Sequence, residues 1–243
     1  AGGEAALPFS PFEEQPPVEP AMRDATDLPH PYVWFAADEL PDLRQKFNEP
    51  LFVPYRKLIL DRADRPPEEI GKVGTPSHAA ILHAYLWAYL LSEQPGYRTR
   101  LMEAVDTLLV GSDLLPAETQ GHPGHRRKVI KIDEFMCHNA EAVATVYDTL
   151  FRELSPEQRT RMFRYLKRHL HYYLDRLDAN DWWYRNNPSN TIAVGSGTNG
   201  VVALALRPLV PEAEQAVERA VKTIHERYKA MADDGGCVEG NLY

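Results

Sequence analysis

The chain has only two cysteines, Cys137 and Cys237, a hundred positions apart in 243 residues. So sparse a pair provides neither a disulfide framework nor a cysteine zinc site. Two free thiols are expected, with a single bridge as the alternative. No run approaches the roughly 18 consecutive apolar residues that a membrane span requires, so a membrane partner is not expected. Strand-like alternation is missing throughout. Positive charge is short as well: 27 Lys and Arg face 35 Asp and Glu, a net charge of −8. That balance argues against general nucleic-acid binding, which normally shows as a basic surface. The start, Ala1-Gly2-Gly3-Glu4, lacks the basic and apolar regions of a signal peptide. What the chain does have is 44% hydrophobic residues, enough for a substantial core in one large domain.

Many of the 20 prolines fall in residues 1–31, where periodicity is weak. This segment reads as an extended arm, wrapped on the surface or partly disordered. From Asp38 the pattern turns helical. Leu40, Leu43 and Phe47 share a face, and a second short helix is expected over Leu51 to Ala63. Ile81, Leu82, Tyr85, Leu86, Tyr89 and Leu90 form a wide apolar face. A turn at Gln94-Pro95-Gly96 follows, then Leu101, Val105, Leu108 and Leu109 at helical spacing.

A helix is expected from about Glu134 to Phe151. The next begins at Ser155-Pro156-Glu157-Gln158, with Ser as N-cap, Pro at the first helical position and Gln completing a capping box. It should run to about Leu177, with Met162, Tyr165, Leu166, Leu170, Tyr173 and Leu174 inward and Arg161, Arg164, Lys167 and Arg168 solvated. Two further helices are expected near Thr191 to Leu206 and Glu212 to Met231. The result is an all-α chain of antiparallel helical hairpins. With no strict repeat period, it fits a curved double layer of helices whose polar loops border one cleft.

Three polar clusters interrupt this helical text. One is basic: His122-Pro123-Gly124-His125-Arg126-Arg127-Lys128-Val129-Ile130-Lys131. It is either an anion-binding edge on an acidic protein or a solvated loop. The second, Trp182-Trp183-Tyr184-Arg185-Asn186-Asn187-Pro188-Ser189-Asn190, offers aromatic rings for stacking and amides for hydrogen bonding. Its aromatics read equally as core, and its asparagines as turn and helix-cap residues. The third closes the chain: Asp233-Asp234-Gly235-Gly236-Cys237-Val238-Glu239-Gly240-Asn241-Leu242-Tyr243. His78 and His83, at i and i+5, do not share a helix face as metal ligands would. His138 reads either as a satisfied core histidine or as a ligand-contacting one.

Over residues 29 to 243 the chain resembles the heparinase II/III-like polysaccharide lyases and their relative dermatan sulfate epimerase. Four segments carry the likeness: Pro29-His30-Pro31-Tyr32-Val33-Trp34-Phe35 with Asp38-Glu39-Leu40-Pro41-Asp42-Leu43-Arg44; Cys137-His138-Asn139-Ala140 with Ala144-Thr145-Val146-Tyr147-Asp148 and Leu154-Ser155-Pro156-Glu157-Gln158-Arg159; Asn186-Asn187 with Ser189-Asn190; and Asp234-Gly235-Gly236 with Glu239-Gly240 and Tyr243. The resemblance implies an incomplete (α/α) toroid over residues 32–243, followed in the natural protein by a β-sandwich domain absent here. The close of the chain on a motif suggests truncation or proteolysis. It also implies a secreted or periplasmic protein whose signal peptide has been removed. No cofactor is expected in this chain, although a structural metal could sit in the missing domain.

Such lyases remove the C5 proton of a uronic acid and expel the O4-linked sugar. The substrate carboxylate opposes carbanion formation, so the site needs a hydrogen-bond donor for the developing enolate together with a base and an acid. On the family pattern Asn187, with Asn186 beside it, neutralises the carboxylate. Tyr243 protonates the leaving oxygen, and serves as base as well if both act on one face of the sugar. Its ordinary pKa of about 10 suits the acid role, and the base role needs a cationic neighbour such as Arg185. Substrate contacts are expected from His138, Arg185, Asn190, Trp183, Glu239, His125 and Arg126. The expected partner is an acidic polysaccharide such as a glycosaminoglycan or alginate.

Two departures stand out. Asn186-Asn187 replaces the Asn-His of the epimerase-like branch, which favours a lyase, and Pro188 replaces the usual aromatic residue. The rival readings are a uronosyl C5-epimerase, an inverting glycoside hydrolase, for which no carboxylate pair is evident, and a carbohydrate-binding module without chemistry. If the family's catalytic histidine belongs to the missing domain, this chain alone binds sugar and turns over little.

Overall fold

The computed structural model describes residues 30–70, 78–113, 134–178 and 190–229. Among them, all regular structure is helical. After a 3-10 turn at Ala37–Glu39 come α1 (Leu40–Lys46), α2 (Val53–Ala63), the single turn α3 (Pro67–Ile70), α4 (His78–Ser92), α5 (Pro95–Asp113), α6 (Glu134–Thr149), α7 (Pro156–Asp178), α8 (Asn190–Leu206) and α9 (Glu212–Lys229).

Short turns make hairpins of α4 with α5, α6 with α7 and α8 with α9. Side-by-side packing of α4 on α6 and of α6 on α8 sets these three in one row. The second helices of the hairpins form the other row, where α7 touches both α5 and α9. Composition explains the assignment. α4 and α8 are apolar almost all round and suit a position flanked by other helices, whereas α7 and α9 carry charge along one side and suit the outside. α1 and α2 pack against α4 and extend the array at that edge.

Leu82, Leu86, Leu101, Val105, Tyr147, Leu166 and Leu170 are wholly buried and knit the rows together. At the closest approach of α8 to α9, a Cβ on Gly200 would lie 3.3 Å from the Ala220 Cβ. A large side chain at either position would prise the hairpin open.

The helix starts and faces follow their local chemistry. The Ser155 amide donates to Gln158 Oε1 at 3.0 Å while the Gln158 amide donates to Ser155 Oγ at 3.2 Å, a reciprocal capping box at the start of α7. The turn between α4 and α5 falls one residue earlier than expected. Glu93 adopts a left-handed φ of 58° as its amide closes on the Tyr89 carbonyl, and Pro95 and Gly96 enter the first turn of α5, where proline needs no amide partner. The basic side of α7 is partly engaged: Arg161 reaches Asp106 of α5 at 2.7 Å.

One long-range tie holds the start of the described chain. The Asp148 carboxylate, near the end of α6, is 2.6 Å from His30 Nδ1 and accepts the Tyr32 and Val33 amides at 3.2 and 3.0 Å. His30 is fully buried and stacks on Phe151 with centroids 4.1 Å apart. The Tyr32 hydroxyl donates to the Leu204 carbonyl of α8 at 2.7 Å. Burial, reinforced by the Asp148 charge, pushes the Tyr32 pKa far up and keeps the phenol a neutral donor. Replacing Asp148 by Ala strands an imidazole and two amides in the core and should cost about 3 to 5 kcal/mol of unfolding free energy. Asp148→Asn, which keeps the shape and one acceptor, should cost clearly less. Urea titration of the two variants checks the order; an Asp148→Ala protein as stable as wild type would refute the tie.

Candidate functional site

Most of the residues singled out in the sequence lie outside the described residues: Tyr243, Asn186, Asn187, Arg185, Trp183, Glu239, His125 and Arg126. Two do not. His138 is exposed on the first half of α6, which removes its reading as a core histidine, and Asn190 is the first residue of α8.

The described helix ends that adjoin the other residues can be placed. The hairpins put the C-termini of α5, α7 and α9 at the same end of the two-row array as the N-termini of α4, α6 and α8. Direct contacts fix this polarity. The Ala79 amide, in the first turn of α4, donates to Asn139 Oδ1 in the first half of α6 at 3.0 Å. Tyr173 near the end of α7 approaches Ser196 near the start of α8, hydroxyl to hydroxyl at 3.5 Å. The described helices that flank residues 114–133, 179–189 and 230–243 have their flanking termini at that end. The partial positive charges of three inner-row N-termini and the partial negative charges of three outer-row C-termini therefore meet at that end and largely offset one another.

A polar layer that the sequence reading missed lies inside the same half of the array. It joins Cys137 of α6, His169 and Tyr173 of α7, and Ser196 and Asn199 of α8, all buried. Asn199 Nδ2 donates to the Gly195 carbonyl at 2.6 Å and lies 3.8 Å from the Cys137 sulfur, which is a thiol. His169 Nε2 and Asn199 Oδ1 are buried without a hydrogen-bond partner. Burial pushes the His169 pKa down to about 4; the Arg168 charge adds to the fall and Asn199 opposes it. Burial likewise raises the Tyr173 pKa against the Ser196 hydrogen bond. The signal for this layer was present as Ser196, Thr198 and Asn199 within an otherwise apolar helix. It was overlooked because small polar residues also serve close packing.

Among the described residues no group of three or more His, Cys, Asp or Glu could hold a metal ion. His78 and His83 both sit on α4, where His83 Nε2 is engaged by Glu141 at 3.0 Å. No helix among the described residues is long and apolar enough to cross a membrane. Comparison with protein-family models and with curated proteins finds no match.

What the described residues do contain where α6, α7 and α8 meet is the buried polar layer. That layer has a measurable signature. A neutral buried His169 means that the unfolded chain takes up the proton first as pH falls through about 6.5. Its stability contribution is complete above that value and is lost as pH falls toward a folded pKa of about 4. From about pH 7 to about pH 5 the wild type should lose about 2 kcal/mol that His169→Gln does not lose. Parallel urea titrations at the two pH values check this, and equal slopes would contradict the neutral state of His169.

Proposed function

We propose that the chain is the helical part of a polysaccharide lyase that cleaves a uronic-acid-containing polymer by β-elimination. One observation carries the reading. The stretches bearing Asn186 and Asn187 and bearing Tyr243, which resemble the lyase motifs, adjoin helix termini at one end of a two-row array of hairpins. The (α/α) toroid is the closed form that we infer for this array, with a β-sandwich domain following it in the natural protein.

In this proposal the substrate carboxylate docks on the side-chain amide of Asn187, with Asn186 beside it. The donors stabilise the enolate formed as the C5–H bond breaks. The electron pair then forms the C4–C5 double bond and expels the O4-linked sugar. Tyr243 delivers the proton to that oxygen. The C5 proton goes to the Tyr243 phenolate, which the cation Arg185 stabilises, and that same proton is the one delivered to the leaving oxygen. His138 is exposed on α6, and in this proposal it contacts a neighbouring sugar unit.

The absence of an evident carboxylate pair disfavours glycoside hydrolysis. Asn187, where the epimerase-like branch has histidine, disfavours epimerisation.

The test follows absorbance of the unsaturated uronate across a panel of acidic polymers, with this chain and with the natural full-length protein. Growth in absorbance is expected on at least one polymer, and Tyr243→Phe should lower its rate by about 100-fold or more. New reducing ends without the chromophore would replace elimination by hydrolysis. Tight binding without either product would reduce the protein to a carbohydrate-binding module.

A further inference from the structure

Over the seam between α4 and α6, four side chains form one hydrogen-bonded series that the elimination does not use. His83 Nε2 lies 3.0 Å from Glu141 Oε2. Thr145 Oγ1 lies 3.1 Å from Glu141 Oε1 and 3.0 Å from the Glu141 carbonyl. The indole Nε1–H of Trp34 donates to Thr145 Oγ1 at 3.1 Å.

The exposures are uneven in an informative way. The Glu141 and His83 side chains are 14% and 31% exposed, so carboxylate and imidazole are held in place yet still reach solvent. Trp34 is 54% exposed despite being the largest apolar side chain of its segment. It is not a loose surface residue. On one side the Val33 amide is tied to Asp148, on the other Phe35 is buried, and its own N–H is bound to Thr145. The indole is therefore anchored at Nε1 and its single donor is spent, while the residue stays largely open to contact.

We infer that Trp34, Glu141 and His83 form a binding subsite for a neutral pyranose ring. A flat, anchored aromatic ring receives the C–H face of a sugar. The carboxylate oxygens, each already holding one partner, keep lone pairs that accept ring hydroxyls. The same carboxylate repels a uronate or a phosphate, which makes the subsite selective for uncharged units. An organic cation would call for a cage of several aromatic faces, and among the described residues Trp34 is the exposed tryptophan, beside a carboxylate already engaged by His83. Helical spacing puts His138, Glu141 and Thr145 on one stripe of α6, so the subsite lies one turn from His138 and runs toward the N-terminal end of the inner row. The inference stands whether or not the protein eliminates.

Calorimetric titration of the full chain with short neutral oligosaccharides of hexose and N-acetylhexosamine should show saturable binding, accompanied by a change in tryptophan fluorescence. Trp34→Ala and Glu141→Gln should each weaken it by about tenfold, with circular dichroism and urea midpoints near wild type. Tyr243→Phe should bind as wild type does, which separates this subsite from the elimination reading. Equal affinity in wild type, Trp34→Ala and Glu141→Gln would overturn the inference. So would binding of arginine or choline in place of sugar, or the lack of any response to the neutral panel.

Discussion

A buried carboxylate must be met by donors, and meeting Asp148 organises the first part of the described chain. Its oxygens take His30 Nδ1 and two successive backbone amides, so the segment that supplies them has to run across α6 at a fixed height. Everything nearby inherits that constraint. Tyr32 is carried to the carbonyls at the end of α8, which ties the extended segment to a second inner helix. Trp34 comes over Thr145, and Phe35 reaches the buried face near Trp87. Apolar packing alone would not choose this path, because proline-rich segments have little periodic apolar face to guide them. The cost of an unpaired carboxylate in the core does choose it.

The second organising constraint is directional. Three hairpins with short turns leave the inner helices parallel to one another, so their N-terminal amides face one way and the helix termini that flank the longer connections lie on that side. The polar layer of His169, Asn199, Ser196 and Tyr173 runs from the middle of α7 and α8 toward that side. The lowered pKa of His169 is first the consequence of burying an imidazole there, with the Arg168 charge adding to it.

The helices were legible in the sequence because their signals are local. The capping box at Ser155, the apolar stripes of α5 and α7 and the proline-marked gap between α8 and α9 each act within a few residues. The role of Asp148 was not legible, since its partners lie more than a hundred positions upstream, His30 within the stretch that reads as an arm and Tyr32 and Val33 just beyond it. Nor was the series from Trp34 through Thr145 and Glu141 to His83, which joins three separate segments. His83 taken alone could be weighed only as half of a poor metal pair. The candidate site divides the same way. Motifs at Asn186, Asn187 and Tyr243 are readable as text, whereas what the described structure adds is the polarity of the helices that adjoin them and the exposure of His138.

The acidic balance of the chain sharpens what its ligand has to be. A net charge of −8 repels a polyanion at long range, so an acidic polymer would need local compensation from cationic or hydrogen-bond-donating side chains wherever its carboxylate sits. The Glu141 carboxylate works in the opposite sense one turn beyond His138. Two such environments along one path do not suit a homopolymer of uronate, because a charged ring would have to rest against Glu141. Under the proposed elimination they suit a chain in which charged and uncharged sugars alternate, with the uncharged unit stacked on Trp34. The repulsion at Glu141 would then set the register, placing a uronate rather than its neighbour at the reacting position.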